Sequence, residues 1–119
     1  MGTTREAGIT LKQMAENVGL EEDDYLSLLE LFITTSTAYV KELQAAIHNG
    51  DSKSVFETTH TIRGAAENLC IPEISGIAKE LELRARQNIL EGAEEAAECL
   101  MKELTYLTRI IHQENQYPN

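Results

Sequence analysis

Much about this chain is settled by what it lacks. It has no tryptophan, only two Phe, four Tyr and two Pro, and few Val. Sheets draw on β-branched and aromatic residues, so this scarcity points away from a sheet protein. No segment alternates with the period of a strand, and there is no internal repeat or low-complexity run. No apolar run approaches the ~18 residues of a membrane span. The N-terminal segment lacks the apolar centre of a secretory signal, so a cytoplasmic location is the expectation. The two cysteines, Cys70 and Cys99, form no Cys-x-x-Cys, and neither stands at zinc-finger spacing from a histidine. They are expected to be reduced and mostly buried thiols. Basic residues are also few: 10 Lys and Arg against 20 Asp and Glu leave a net charge of −10. That balance argues against a nucleic acid or an anionic membrane as partner. A Gly-x-x-x-x-Gly-Lys-Ser/Thr loop and a kinase-like glycine motif are both missing, so nothing in the chain resembles a nucleotide site.

What remains is a helical vocabulary. The chain has 119 residues, enough for one domain with its own core, and 42% of them are hydrophobic. Leu, Ala and Glu dominate, all good helix formers. The expectation is an all-α fold: an antiparallel up-down-up-down four-helix bundle over about residues 20–114, with a short accessory helix before it and loose ends. Thr10 can cap the short helix, Leu11 to about Val18, and Gly19 can stop it. A long helix should run from about Glu22 to His48, with Glu21, Glu22, Asp23 and Asp24 placing negative charge at its positive end. Its inner stripe is Tyr25, Leu29, Phe32, Ser36, Val40, Leu43 and Ile47, flanked by Leu28, Ile33 and Tyr39. Leu31 falls off that stripe, either touching the short helix or standing as an exposed apolar spot. Asn49-Gly50 ends the helix, and Asp51 or Ser52 opens the next, which runs to about Leu69. Pro72 suits the first turn of a fourth helix that reaches about Gln87, with Ile74, Ile77, Ala78, Leu81 and Ala85 inward and Asn88 at a left-handed stop. The last helix should span about Glu91 to Gln113, with Ala93, Ala97, Leu100, Leu104, Leu107 and Ile111 inward, and Met101 and Ile110 beside them.

The chemistry concentrates between Thr59 and Cys70. Val55, Thr59, Ile62, Ala66 and Leu69 form one stripe of the helix. At roughly 100° per residue, His60 lies roughly 140° from the centre of that stripe and should project into water. Arg63, Gly64 and Glu67 share its side. A glycine inside a helix costs roughly 1 kcal/mol relative to Ala. Either it seats a neighbouring helix, or it clears space for another molecule to reach the imidazole. A nucleophilic ring nitrogen, a guanidinium one turn on and room for a partner fit phosphoryl transfer.

The stretch His60-Thr61-Ile62-Arg63-Gly64-Ala65-Ala66-Glu67-Asn68-Leu69 resembles the signature of the histidine-containing phosphotransfer (Hpt) domains of two-component phosphorelays. That signature is His, any residue, a large apolar residue, Lys or Arg, Gly, two small residues, any residue, Asn or Ser, and a large apolar residue. Every position matches. The family usually continues with Gly, where this chain has Cys70, a difference that bears on how the helix ends. Gly19 to Tyr25 and Leu90-Glu91-Gly92-Ala93 are also similar to family wording, and the resemblance covers about Leu20 to about Glu114.

The resemblance implies a phosphorelay intermediate. His60 is the phospho-acceptor, taking a phosphoryl group from one receiver-domain aspartate and passing it to another. Arg63 holds the phosphoryl oxygens and Gly64 gives clearance. Phe56, Glu67 and Leu31 are candidates for the docking rim. Such a domain is a carrier, not an enzyme with its own kinase site. It has no cofactor of its own, since Mg²⁺ is supplied at the receiver. The implied partners are response-regulator receiver domains and a hybrid sensor histidine kinase, and the carrier is expected to be monomeric. Phosphorylation adds roughly −1.5 to −2 charge to an acidic surface, which makes Arg63 important and the phosphoryl group easy to pass on.

Other readings stand beside this one. His48 and His112 are rival acceptors, but each sits near a helix C-terminus and neither has a Lys or Arg at i+3 followed by Gly. Glu57-Thr58-Thr59-His60 is a Glu-x-x-His, the spacing of di-iron carboxylate bundles, yet no second copy exists and the motif should face outward. A third possibility keeps the fold as a helical interaction module without phosphotransfer.

Overall fold

The computed structural model describes residues 10–116, with side chains described to residue 113. The expectations for the termini therefore fall largely outside the described residues. Five helices follow one another: α1 (Leu11–Asn17), α2 (Glu22–His48), α3 (Ser52–Asn68), α4 (Pro72–Arg86) and α5 (Ala93–Gln116). No strand occurs among the described residues. The four longer helices form the antiparallel bundle, and α1 lies against α2 and α5. Most of the apolar residues expected inside are there. Tyr25, Leu29, Val40 and Leu43 of α2, Val55 and Ala66 of α3, Ala78 of α4, and Ala97 and Leu100 of α5 are all fully buried. Leu28 is the exception: it lies too far round α2 to be covered and is 44% exposed.

The helix ends share one chemistry. Each of α1 to α4 closes with a left-handed residue whose N–H, and that of the residue after it, bond back to carbonyls in the last turn. After α1, Gly19 donates to Glu16 O and Leu20 to Ala15 O; after α2, Gly50 donates to Ile47 O and Asp51 to Ala46 O. Asn88 fills the position after α4 with a φ of 62°, as its tolerance of the left-handed region allows. After α3 the position belongs to Cys70, with a φ of 55°. The Cys70 and Ile71 N–H groups still donate to Glu67 O at 3.1 Å and Ala66 O at 2.9 Å. The motif therefore survives without glycine, at a conformational cost of roughly 1 kcal/mol. One further contact braces this end. The buried Tyr25 hydroxyl donates to Leu69 O across 2.9 Å, tying α2 to the end of α3. Burial, with a smaller contribution from the nearby Cys70, pushes the Tyr25 pKa up to about 12.

Helix starts also follow their side chains. Thr10 and Gln13 form a reciprocal capping box at α1. Asp51 is the N-cap of α3: it accepts from Ser54 N at 3.1 Å and from Ser54 Oγ at 2.7 Å, and these bonds lower its pKa. Helix α5 begins two residues later than expected, because Gly92 has a φ of 80° and cannot be its first turn. Arg84 stabilises that connection by donating to Glu91 O. At its other end α5 continues past Gln113 to Gln116. Cys70 and Cys99 are both free, but the expected burial fails: both are exposed. One stands in the turn after α3 and the other on the outer face of α5, two residues beyond the inward Ala97.

Candidate phosphoryl-acceptor site

The α3 stripe of Val55, Thr59, Ile62, Ala66 and Leu69 is buried. Thr59 is the one hydroxyl in it, and its Oγ1 is satisfied by donating to Val55 O at 2.7 Å. That packing rotates His60 outward, leaving its side chain 59% exposed. Arg63 and Glu67 follow at one-turn intervals on the same side. A Cβ placed on Gly64 would meet nothing within 4 Å, so this glycine does not seat a neighbouring helix. The open space beside it faces away from the bundle.

The neighbouring helix supplies a residue that the sequence reading passed over. Glu82 of α4 is buried, with 8% side-chain exposure, and points at α3. Its Oε2 lies 2.8 Å from His60 Nδ1, and its Oε1 accepts from Arg63 Nε at 2.5 Å. Burial alone would raise the Glu82 pKa, and it is the largest single influence. The hydrogen bonds from Arg63 and His60, with the charge of Arg63, outweigh it, and the pKa lies below the ordinary carboxylate value. Glu82 is thus an ionised group that can only accept, which assigns the hydrogen of the 2.8 Å contact to His60 Nδ1. The other ring nitrogen, Nε2, then carries the lone pair of the neutral imidazole.

Arg63 is shared. Besides Glu82, it donates from Nη1 to Glu67 at 3.0 and 3.2 Å. Its Nη2 lies 3.2 Å from His60 Nδ1 and 3.5 Å from Glu82 Oε2. These two carboxylates raise its pKa further, Glu82 the more. On the other side of the imidazole, the Phe56 ring stacks at a centroid distance of 6.0 Å and an interplanar angle of 19°. Arg86 of α4 covers Phe56 in turn, with Cζ 5.8 Å from the ring centroid. His60 is therefore held along its Nδ1 edge and against one side, with a flanking basic and aromatic surface.

The remaining candidates are not brought into this arrangement. Leu31 is 60% exposed on α2, which removes its alternative role as a packing contact. Its exposure leaves it available as a docking residue. His48 and His112 are exposed near the ends of α2 and α5. Glu57 faces solvent, and no group of three or more His, Cys, Asp or Glu among the described residues could hold a metal ion. A groove of about 660 Å³ is lined by Gln44 of α2 and by Glu98, Met101, Lys102 and Arg109 of α5. It contains no residue of the His60 arrangement, which is an open surface suited to another protein and not a small-molecule cavity.

A family model described as "Hpt domain" matches residues 27–113. The chain belongs to the Hpt domain family. It is similar to the histidine-containing phosphotransfer protein B (HptB) from Pseudomonas aeruginosa PAO1, whose crystal structure superposes with a TM-score of 0.75. The identity is 29%, and the match covers 92% of each chain. No curated protein matches the chain in sequence. As an Hpt domain, the protein is an intermediate of a His-to-Asp phosphorelay. No helix among its described residues is long and apolar enough to cross a membrane.

The signal that could have revealed Glu82 lies in α4. Ile74, Ala78 and Ala85 share one apolar stripe, and Glu82 occupies the step between Ala78 and Ala85. A lone carboxylate in an inward stripe, opposite a helix bearing His and Arg, calls for a partner.

Proposed function

We propose that His60 is the phospho-acceptor and that it reacts through Nε2. The observation that carries this reading is the buried Glu82 carboxylate on Nδ1, which leaves the outward nitrogen as the nucleophile. In the accepting step, the Nε2 lone pair attacks the phosphorus of a receiver's acyl phosphate. The P–O bond to the aspartate breaks, and its electron pair leaves on the carboxylate oxygen. The ring keeps its Nδ1 proton, and the positive charge that develops on the imidazole lies against Glu82. Arg63 offsets charge on the phosphoryl oxygens. Passing the group on is the same sequence in reverse, to a second receiver.

Gly64 gives the receiver its approach beside the imidazole. Phe56, Glu67 and the exposed Leu31 form the surrounding rim. The protein is a carrier in this scheme: any Mg²⁺ and the aspartate belong to the receiver, and a hybrid sensor histidine kinase is the upstream source. It acts in the cytoplasm as a monomer. Among the described residues the large exposed apolar side chains are spread over separate segments: Leu20 before α2, Leu28 and Leu31 on α2, and Leu83 and Ile89 around the end of α4.

The test is label transfer. A receiver domain carrying labelled phosphate is mixed with the wild type and with His60→Gln in the presence of Mg²⁺. Label should pass to the wild type alone, and it should be lost in acid and kept in base, as a phosphoramidate bond requires. A wild type that takes no label from any of several receivers would instead make the domain a non-transferring interaction module.

A further inference from the structure

Arg63 has two acidic partners of different kinds. Glu82 is buried on another helix and also holds His60. Glu67 is half exposed, one turn along α3, and its carboxylate pairs with Arg63 Nη1. A phosphoryl group arriving on Nε2 brings roughly −1.5 to −2 charge within range of the same guanidinium. Glu82 cannot yield without releasing the imidazole and leaving a buried carboxylate without its cation. Glu67 can yield at little cost, because its carboxylate swings into water.

We propose that Glu67 is a competitor for Arg63, a positioning residue that holds the guanidinium in the unphosphorylated protein and surrenders it to the phosphoryl group. This rests on His60 being the acceptor. Glu67 thereby makes the phosphorylated state less favourable than it would otherwise be. It biases the relay toward handing the group on to a receiver aspartate.

The experiment measures how labelled phosphoryl divides between the full-length protein and one receiver domain at equilibrium, together with hydrolysis of the phosphohistidine after labelling with phosphoramidate. Glu67→Gln should shift the division toward the Hpt protein by about two- to fivefold, the range open to one exposed ion pair. Glu57→Gln removes the same charge one turn before His60 without touching Arg63, and should shift it less. In an Arg63→Ala background, Glu67→Gln should have no effect, because the competition acts through Arg63. An unchanged division in Glu67→Gln overturns the inference, and so does an equal shift in Glu57→Gln. A shift that persists without Arg63 overturns it too, since it would then be plain repulsion. A wild type that accepts no label even from phosphoramidate overturns both the functional reading and this inference, whereas a labelled wild type with an indifferent Glu67 overturns the inference alone.

Discussion

One face of α3 carries Val55, Thr59, Ile62 and Ala66, none more than 1% exposed, while the opposite face carries His60 with 59% of its side chain in water. Both faces are ordered, for different reasons. The inner residues are fixed by close packing from all sides, and any apolar residue of the right volume would serve. The outer residues are fixed by a chain of polar contacts, Arg63 to Glu82 to His60. The inner face holds the helix in the bundle, and the outer face holds the imidazole by its Nδ1 edge and leaves Nε2 outward. Stability should therefore be lost on one face and chemistry on the other.

The sharpest separation comes from Ile62→Ala. It removes a buried side chain from the inner face and should cost about 3 kcal/mol, read from the urea midpoint. The folded protein should still accept label at His60. Loss of acceptance at a temperature where the variant is folded would break the division between the faces.

Glu82 joins the two faces, being buried and yet bonded to both His60 and Arg63. Glu82→Leu should slow phosphoryl acceptance roughly 10- to 100-fold, the rate equivalent of one charge-assisted hydrogen bond. Glu82→Gln should fall between, because its amide oxygen still accepts from Nδ1 without the charge, and this partial rescue is what a purely structural role would not give. The sign of the pH dependence follows from the lowered pKa of Glu82. Its contribution to stability is present above the ordinary Glu value and is lost as the pH falls through the lowered folded-state value. Denaturation midpoints across the acid range should thus fall less steeply for Glu82→Gln than for the wild type.

Gly64 predicts opposite changes in the two properties. Gly64→Ala should stabilise the fold by about 1 kcal/mol, since Ala is the better helix former and its Cβ meets nothing. The same variant should transfer phosphoryl more slowly with a receiver, while phosphoramidate labelling is unaffected. The smallest effect belongs to Cys70, which serves neither face. Cys70→Gly relieves the left-handed backbone but adds freedom to the unfolded chain, for a net gain of about 0.5 kcal/mol in the urea midpoint.

Much of this was legible in the chain. The spacing of Val55, Thr59, Ile62 and Ala66 set the inner face, and the exposure of His60 followed by subtraction. Gly19, Gly50 and Asn88 marked three helix ends through their tolerance of positive φ. Cys70 did not mark the fourth, because nothing in a cysteine announces that conformation. The docking rim was only partly legible: Glu67 looked like a free rim charge and is in fact tied to Arg63.

Helix period is a local property, carried by residues three and four apart, and so the sequence by itself determined the five helices, their buried stripes and the outward histidine. Glu82 lies 22 residues from His60 along the chain. Only the register of α4 against α3 brings its carboxylate onto Nδ1, and that register is set by the joint packing of both stripes with the rest of the bundle. The tertiary structure alone decided that a buried carboxylate faces Nδ1 of the imidazole and that Arg63 is shared between a buried and an exposed carboxylate.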